Sequence, residues 1–266
     1  MKSFLGRPAM LASVADLDEA MVAVEQGADL VDLKDPTRGA LGAWPVESVR
    51  AAVEALGDRA LLSATVGDLP VDPESLVEAA RRMAATGVAI VKIGFFAASA
   101  SLDELAAAVR ALAAVTAEGT RLVAVLMADQ ELHLPLLPML ASAGFKGAML
   151  DTADKAAGPL SRHLSAPALA DFVDRVRRLS MLCGLAGSLR QSDIAPLAAL
   201  APDYLGFRGA LCGAGRTSRL DPLKLAAIRQ AVRAASNRAT ATAGKQVATD
   251  EMPTSSSAGI RLAAAR

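Results

Sequence analysis

The sequence predicts one (β/α)8 barrel over residues 1–236 and a disordered tail over 237–266. Three observations predict it. Short β-rich runs alternate with amphipathic Ala/Leu segments, and strict alternation requires parallel strands, because each helix returns the chain to the same edge. Eight such units within about 230 residues is the number a closed barrel needs. The core must also be built without aromatic bulk: 53% of the residues are hydrophobic but only 3% are aromatic. A mix of Ala, Leu and Val suits helices packed closely on a parallel sheet. An open doubly wound sheet is the main competitor. Its usual mark is a Gly-rich turn straight after the first strand, where this chain reads Ala15-Asp16-Leu17-Asp18.

In chain order, strands are expected at Met10–Val14, Leu30–Leu33, Leu61–Thr65, Ala89–Ile93, Leu122–Met127, Gly147–Leu150, Met181–Leu185 and Tyr204–Phe207. Helical patterns occupy Leu17–Gln26, Val46–Leu56, Pro73–Ala85, Leu102–Ala117, Pro167–Leu179 and Pro222–Ala235. Asp72, Ser101 and Asp221 stand at helix starts, where a short polar side chain accepts from a free N–H group. Gly27, Gly57, Gly87 and Gly144 mark helix ends. From Asn237 onward the apolar period stops and Ala, Thr and Ser dominate, as in Thr254-Ser255-Ser256-Ser257-Ala258, which is the basis for the tail.

The formal net charge is zero, with 28 basic and 28 acidic residues. No global field draws in nucleic acid or anionic lipid, so any anion recognition must be local. Apolar stretches are broken by charge or Gly before about 18 residues, so no membrane-spanning helix is expected. Met1-Lys2-Ser3-Phe4 opens no signal-peptide pattern. Cys183 and Cys212 are the only cysteines, and His133 and His163 the only histidines. Neither a disulfide framework nor a zinc site is expected from them, and Cys183 reads as a small apolar filler. The chain reads as cytoplasmic, and a homo-oligomer stays compatible with it.

In such a barrel the site lies at the C-terminal ends of the strands. Lysine placement is the sharpest signal there. Arg is the general-purpose cation of this chain, and Lys occurs only at positions 2, 34, 92, 146, 155, 224 and 245. Lys34, Lys92 and Lys155 all fall at or just beyond strand ends, on one rim. Asp32 and Lys34 share a face of the second strand, and Lys92 shares one with Gly94 in the fourth. Asp151 closes the sixth.

A lysine amine, unlike a guanidinium, can become neutral and attack a carbonyl to form a Schiff base. Clustering ammonium groups in a semi-enclosed pocket lowers their pKa values, as does desolvation. One lysine can then be nucleophile while another shuttles protons, with Asp32 and Asp151 orienting the amines. A lone Asp–Lys pair is as often a satisfied ion pair; three lysines and two aspartates on one rim favour chemistry.

Loops after the last two strands of many barrels bind phosphate through backbone N–H groups. Gly187, Ser188, Arg208 and Gly209 occupy those positions, and Arg208 or Arg216 adds charge. The loop Asp35 to Pro45 carries the only tryptophan, Trp44. It is either a lid over the mouth or a loop packed on that ring. His133 and His163 lie away from strand ends and are read as non-catalytic. Taken alone, these residues stop at a lysine-dependent enzyme whose partner is a small phosphorylated carbonyl compound. Another Schiff-base aldolase and a non-catalytic phosphosugar-binding barrel stay open.

The motifs resemble one family. They are Gly27-Ala28-Asp29-Leu30-Val31-Asp32-Leu33-Lys34-Asp35-Pro36, Leu41-Gly42-Ala43, Ser63-Ala64-Thr65-Val66-Gly67-Asp68 and Val91-Lys92-Ile93-Gly94. They continue with Asp151-Thr152-Ala153, Leu185-Ala186-Gly187-Ser188-Leu189 and Arg208-Gly209-Ala210-Leu211-Cys212. The chain resembles the (5-formylfuran-3-yl)methyl phosphate synthase family of methanofuran biosynthesis, also called 4-(hydroxymethyl)-2-furancarboxaldehyde-phosphate synthase. The resemblance implies a lyase that joins two glyceraldehyde 3-phosphate molecules with loss of water and one phosphate. It also implies Lys34 as the Schiff-base lysine, Lys92 as proton acceptor, and Asp32, Asp151 and Lys155 as supporting groups. No metal or organic cofactor is implied.

Overall fold

The computed structural model describes residues 8–250, with 99 and 238–250 described by backbone alone. Eight parallel strands close on one another in chain order. They are β1 (Ala9–Val14), β2 (Leu30–Leu33), β3 (Leu61–Thr65), β4 (Ile90–Phe95), β5 (Leu122–Met127), β6 (Gly147–Asp151), β7 (Leu182–Leu185) and β8 (Tyr204–Phe207). β8 pairs with β1 from Ala9↔Tyr204 to Ala12↔Phe207, which closes the ring. The (β/α)8 barrel is therefore the architecture, as expected. β4 runs two residues past its expected end, because Gly94 and Phe95 pair with Val125 and Leu126 of β5.

The helices are α1 (Leu17–Glu25), α2 (Val46–Leu56), α3 (Pro73–Ala84), α4 (Leu102–Ala117), α5 (Leu136–Ser142), α6 (Leu160–His163), α7 (Ala166–Arg178), α8 (Ile194–Ala199) and α9 (Pro222–Asp250). Asp72 caps α3 by accepting from the Ser75 N–H, and Ser101 forms a capping box with Glu104 on α4. α5, α6 and α8 lay outside the helical patterns of the sequence. Each is short, and α5 and α8 contain Pro138 and Pro196, so no apolar period builds up. The backbone of α9 continues to Asp250, past residue 236 where the apolar period stops. The remainder of the expected tail, 251–266, and the opening segment 1–7 lie outside the described residues.

The strand period of two divides the core into two parts. Outward-facing Met10, Val31, Leu33 and Leu150 pack under the helices with Leu105 and Phe172. Leu11, Leu30, Ile90, Val123, Met149 and Tyr204 form a second, smaller cluster inside the ring. The Tyr204 ring fits there because β7 has Gly184 beside it: a Cβ at that position would stand 2.3 Å from the ring. This apolar plug fills the N-terminal half of the barrel, so the inward positions that follow along each strand face the open C-terminal mouth. Among the described residues, no helix is long and apolar enough to cross a membrane.

Candidate active site

The inward positions at the mouth are Asp32 on β2, Lys92 on β4 and Asp151 on β6, with Lys34 just beyond β2 and Lys155 four residues past Asp151. All five predicted catalytic residues come together, and alternate strands supply them, as in the side-chain layers of such barrels. Asp32 is completely buried. Its carboxylate accepts hydrogen bonds from Ser63 Oγ at 2.6 Å and Ser13 Oγ at 3.2 Å, and Lys92 Nζ lies 3.0 Å from Oδ2. The serines are its register partners on the neighbouring strands, Ser13↔Asp32 and Asp32↔Ser63, so strand register itself brings their hydroxyls to the carboxylate.

Asp151 is the second hub. Lys155 Nζ donates to Oδ1 at 2.5 Å, the Thr152 N–H donates to the same oxygen at 2.8 Å, and Lys34 Nζ stands 3.7 Å from Oδ2. Lys155 also donates to the Thr152 carbonyl. The three amines therefore differ in tethering: Lys92 and Lys155 are held closely, while the Lys34 amine makes no hydrogen bond among the described residues.

Electrostatics follow from this packing. Burial alone would raise the Asp32 carboxyl, but Lys92, Lys34 and Ser63 outweigh it and leave its pKa lowered. Asp151 behaves alike: burial opposes, Lys155 and Lys34 prevail, and its pKa falls to about 2. Burial pulls the Lys92 amine down against the Asp32 charge, and Lys34 adds to the fall. Lys155 is lowered chiefly by burial too.

The loops that bear the lysines are held from adjacent strands. Asp68, beyond β3, accepts from the Ala40 and Leu41 N–H groups at 2.7 and 2.6 Å, which pins the loop after Lys34. Asp129, beyond β5, accepts from Ala153 and Asp154 N–H at 2.8 and 2.7 Å, which pins the segment before Lys155. Trp44 is buried, so of the two readings of its loop the structure shows a ring packed beneath it.

A cavity of about 630 Å³ opens at this mouth. The three lysines, Arg190, Arg208, Arg216 and Lys224 line it against one carboxylate, Asp151. In a chain with no net charge, such an excess of cations in one cavity marks a place for anions.

The model of the 4-HFC-P synthase family matches residues 10–229. The chain belongs to this family. A (5-formylfuran-3-yl)methyl phosphate synthase from Methanopyrus kandleri is 36% identical over 221 residues, 80% of this chain and 93% of that one. A Methylorubrum extorquens protein provisionally given the same name is 45% identical over 229 residues, covering 86% and 93%. Among solved structures, phosphoribosyl anthranilate isomerase from Thermus thermophilus superposes with a TM-score of 0.58 at 16% identity, over 85% of this chain and 98% of that one. That likeness shows the fold alone.

In this 4-HFC-P synthase family barrel, the four residues expected to bind phosphate divide into two kinds. Gly187 and Ser188 take left-handed backbone, φ +103° and +48°, and line the cavity with Gly209. The amide N–H groups of Gly187, Ser188 and Gly209 have no acceptor within the described protein. The Ser188 hydroxyl, expected to face an anion, donates instead to the Lys155 carbonyl at 3.2 Å.

Arg208 departs further from expectation. Its guanidinium pairs with Glu19 and also donates to the carbonyls of Ser13, Arg216 and Ser218. All five of its N–H donors are spent. Arg208 is a brace for the last loop, and its guanidinium has nothing left to offer a phosphate.

Ser13 and Glu19 escaped the sequence reading, and Asp68 and Asp129, which stand just past strand ends, carried no role in it. A serine inside the apolar run Ala9–Val14 was one signal; Asp16, three positions before Glu19, was another, but that spacing marks a helix start and says nothing of the Arg208 partner. His133 and His163 lie outside the cavity lining.

Proposed function

We propose that this protein is a lyase that joins two glyceraldehyde 3-phosphate molecules through a Schiff base on Lys34. Water and one phosphate are lost, giving (5-formylfuran-3-yl)methyl phosphate for a methanofuran-type cofactor. The observation that carries the reading is the unequal tethering of three amines around two buried carboxylates, in a member of the 4-HFC-P synthase family. Lys34 has the amine least committed to a partner, which suits the group that must give its lone pair to a carbonyl.

One triose, as its ketone isomer, condenses with the Lys34 amine and water leaves. The imine acidifies the neighbouring carbon. Lys92 takes that proton, and its burial-lowered pKa brings the neutral amine within reach. The resulting enamine attacks the aldehyde of the second triose. Asp151 and Lys155, joined at 2.5 Å, are the pair placed to pass protons during dehydration. The free N–H groups of Gly187, Ser188 and Gly209 suit a phosphate oxygen.

The test is direct. Purified protein given glyceraldehyde 3-phosphate should release inorganic phosphate together with a furan absorbance. A carbon–carbon condensation product with no phosphate release would instead identify a simple Schiff-base aldolase, and absence of both would remove the assignment.

A further inference from the structure

We propose that Arg216 reads the phosphate of the substrate and, in doing so, fastens the loop that follows Lys34. The inference rests on the reading above in one respect, that the cavity takes a phosphorylated compound.

The residue sits on a short hairpin closed by the Cys212↔Leu220 bridge and by Gly213 N–H donating to the Arg219 carbonyl. Arg208 holds the backbone of that hairpin, donating to the Arg216 carbonyl at 2.7 Å and the Ser218 carbonyl at 2.9 Å. Its own charge is answered by Glu19. The Arg216 side chain then crosses to the loop after β2. Nη1 donates to the Pro36 carbonyl at 2.6 Å and Nη2 to the Gly39 carbonyl at 3.0 Å. One guanidinium thus joins the loop after β8 to the loop between Lys34 and Trp44.

Two of its five donors are used, and three are left on a half-buried group that lines the cavity. No carboxylate lies within 4.0 Å of it among the described residues. A partly desolvated cation held only by carbonyls has no carboxylate in direct contact. Burial, with the neighbouring Arg208 charge, pulls its pKa down more than the charges of Asp151, Asp68 and Asp35 hold it up. Arg190 and Lys224 also line the cavity without a carboxylate, but both are exposed, and Lys224 is tied to the carbonyls of Cys212 and Gly213.

The coupling follows from the shape of the group. A guanidinium is a rigid plane, so an anion that fixes its free edge also fixes the two carbonyls on its other edge. Those carbonyls belong to the loop that Asp68 pins from the opposite side.

Calorimetric titration of the full chain with inorganic phosphate, while emission from Trp44 is followed, tests both halves. Wild type should bind phosphate with a saturable change in emission. Arg216→Ala should weaken phosphate by about tenfold or more and lose the emission change. Arg216→Lys should regain part of the affinity without the emission change, since a point charge does not bridge two carbonyls and an anion. Equal phosphate affinity in wild type and either variant overturns the recognition role. Binding to wild type with unmoved emission overturns the fastening role, and no binding to wild type overturns both. If Arg216→Ala does not fold, Arg216→Lys alone decides by the same two readouts. Neither readout needs an adduct on Lys34, so failure here and failure of the Schiff-base reading are separate results.

Discussion

Lys34 Nζ lies 3.7 Å from Asp151 Oδ2 and donates no hydrogen bond, while Lys155 takes the other oxygen of that carboxylate at 2.5 Å. Asp151 therefore places Lys34 by charge alone and leaves its amine free to react. Borohydride reduction in the presence of glyceraldehyde 3-phosphate should leave an adduct on the peptide that contains Lys34. Lys34→Arg should abolish it although the charge is kept, because a guanidinium does not form the imine. Lys146→Arg, at an exposed position, should trap as wild type does. An adduct of undiminished yield in the Lys34→Arg protein would refute the assigned role.

In the proposed mechanism the Asp32–Lys92 pair governs the acid–base step. Asp32 is the main influence holding the Lys92 pKa up against burial. Asp32→Asn should therefore lower that pKa further. A base must be neutral to act, so the rising limb of the kcat against pH profile should move to lower pH in this variant. Ser63 keeps its acceptor in the amide oxygen, and the Ser13 hydroxyl, which faces the other carboxylate oxygen, can turn to accept from the amide N–H, which limits collateral damage. A limb that stays in place, or moves up, would remove Lys92 from the role of base.

Asp151 links the site to acid stability. Its pKa falls from 3.8 to about 2 in the folded protein. The folded state binds this proton less readily than the unfolded chain does. The associated stability is present above the unfolded value of 3.8 and is lost as pH falls through about 2. Its size is about 2 kcal/mol. Urea unfolding of wild type and Asp151→Asn should show a gap at about pH 6 that narrows by this amount towards about pH 2. A gap independent of pH would mean that the lysines do not depress Asp151.

The barrel and the five rim residues were legible because both depend on local periods. Alternating elements imply parallel strands, and a spacing of two puts Asp32 and Lys34 on one face. What escaped depends on register and distant partners. Ser13 and Ser63 reach Asp32 only because the register of β1, β2 and β3 sets them beside it. Arg208 and Arg216 look equivalent in sequence. The difference between them is made by Glu19, 189 positions before Arg208, which neutralises one and leaves the other facing the cavity. Trp44 was undecided for the same reason, since nothing near it tells which side of its loop the ring takes.

Glu19 itself yields the last prediction. It is buried in the first turn of α1, where it accepts from the N–H groups of Ala15 and Leu220 as well as from Arg208. Removing one partner of a buried ion pair leaves the other charge without compensation, at a cost of about 3–5 kcal/mol. Glu19→Ala should lower the urea midpoint accordingly, whereas the double variant Glu19→Ala with Arg208→Met should recover much of the loss because no charge is then stranded. The recovered stability should not restore turnover. Without Arg208 the Arg216 and Ser218 carbonyls lose their donors, and the hairpin that carries Arg216 is no longer held against the mouth. A double variant as unstable as the single one would show that Glu19 serves the two backbone N–H groups rather than the guanidinium. A stable double variant with full activity would show that the brace is not needed for the chemistry.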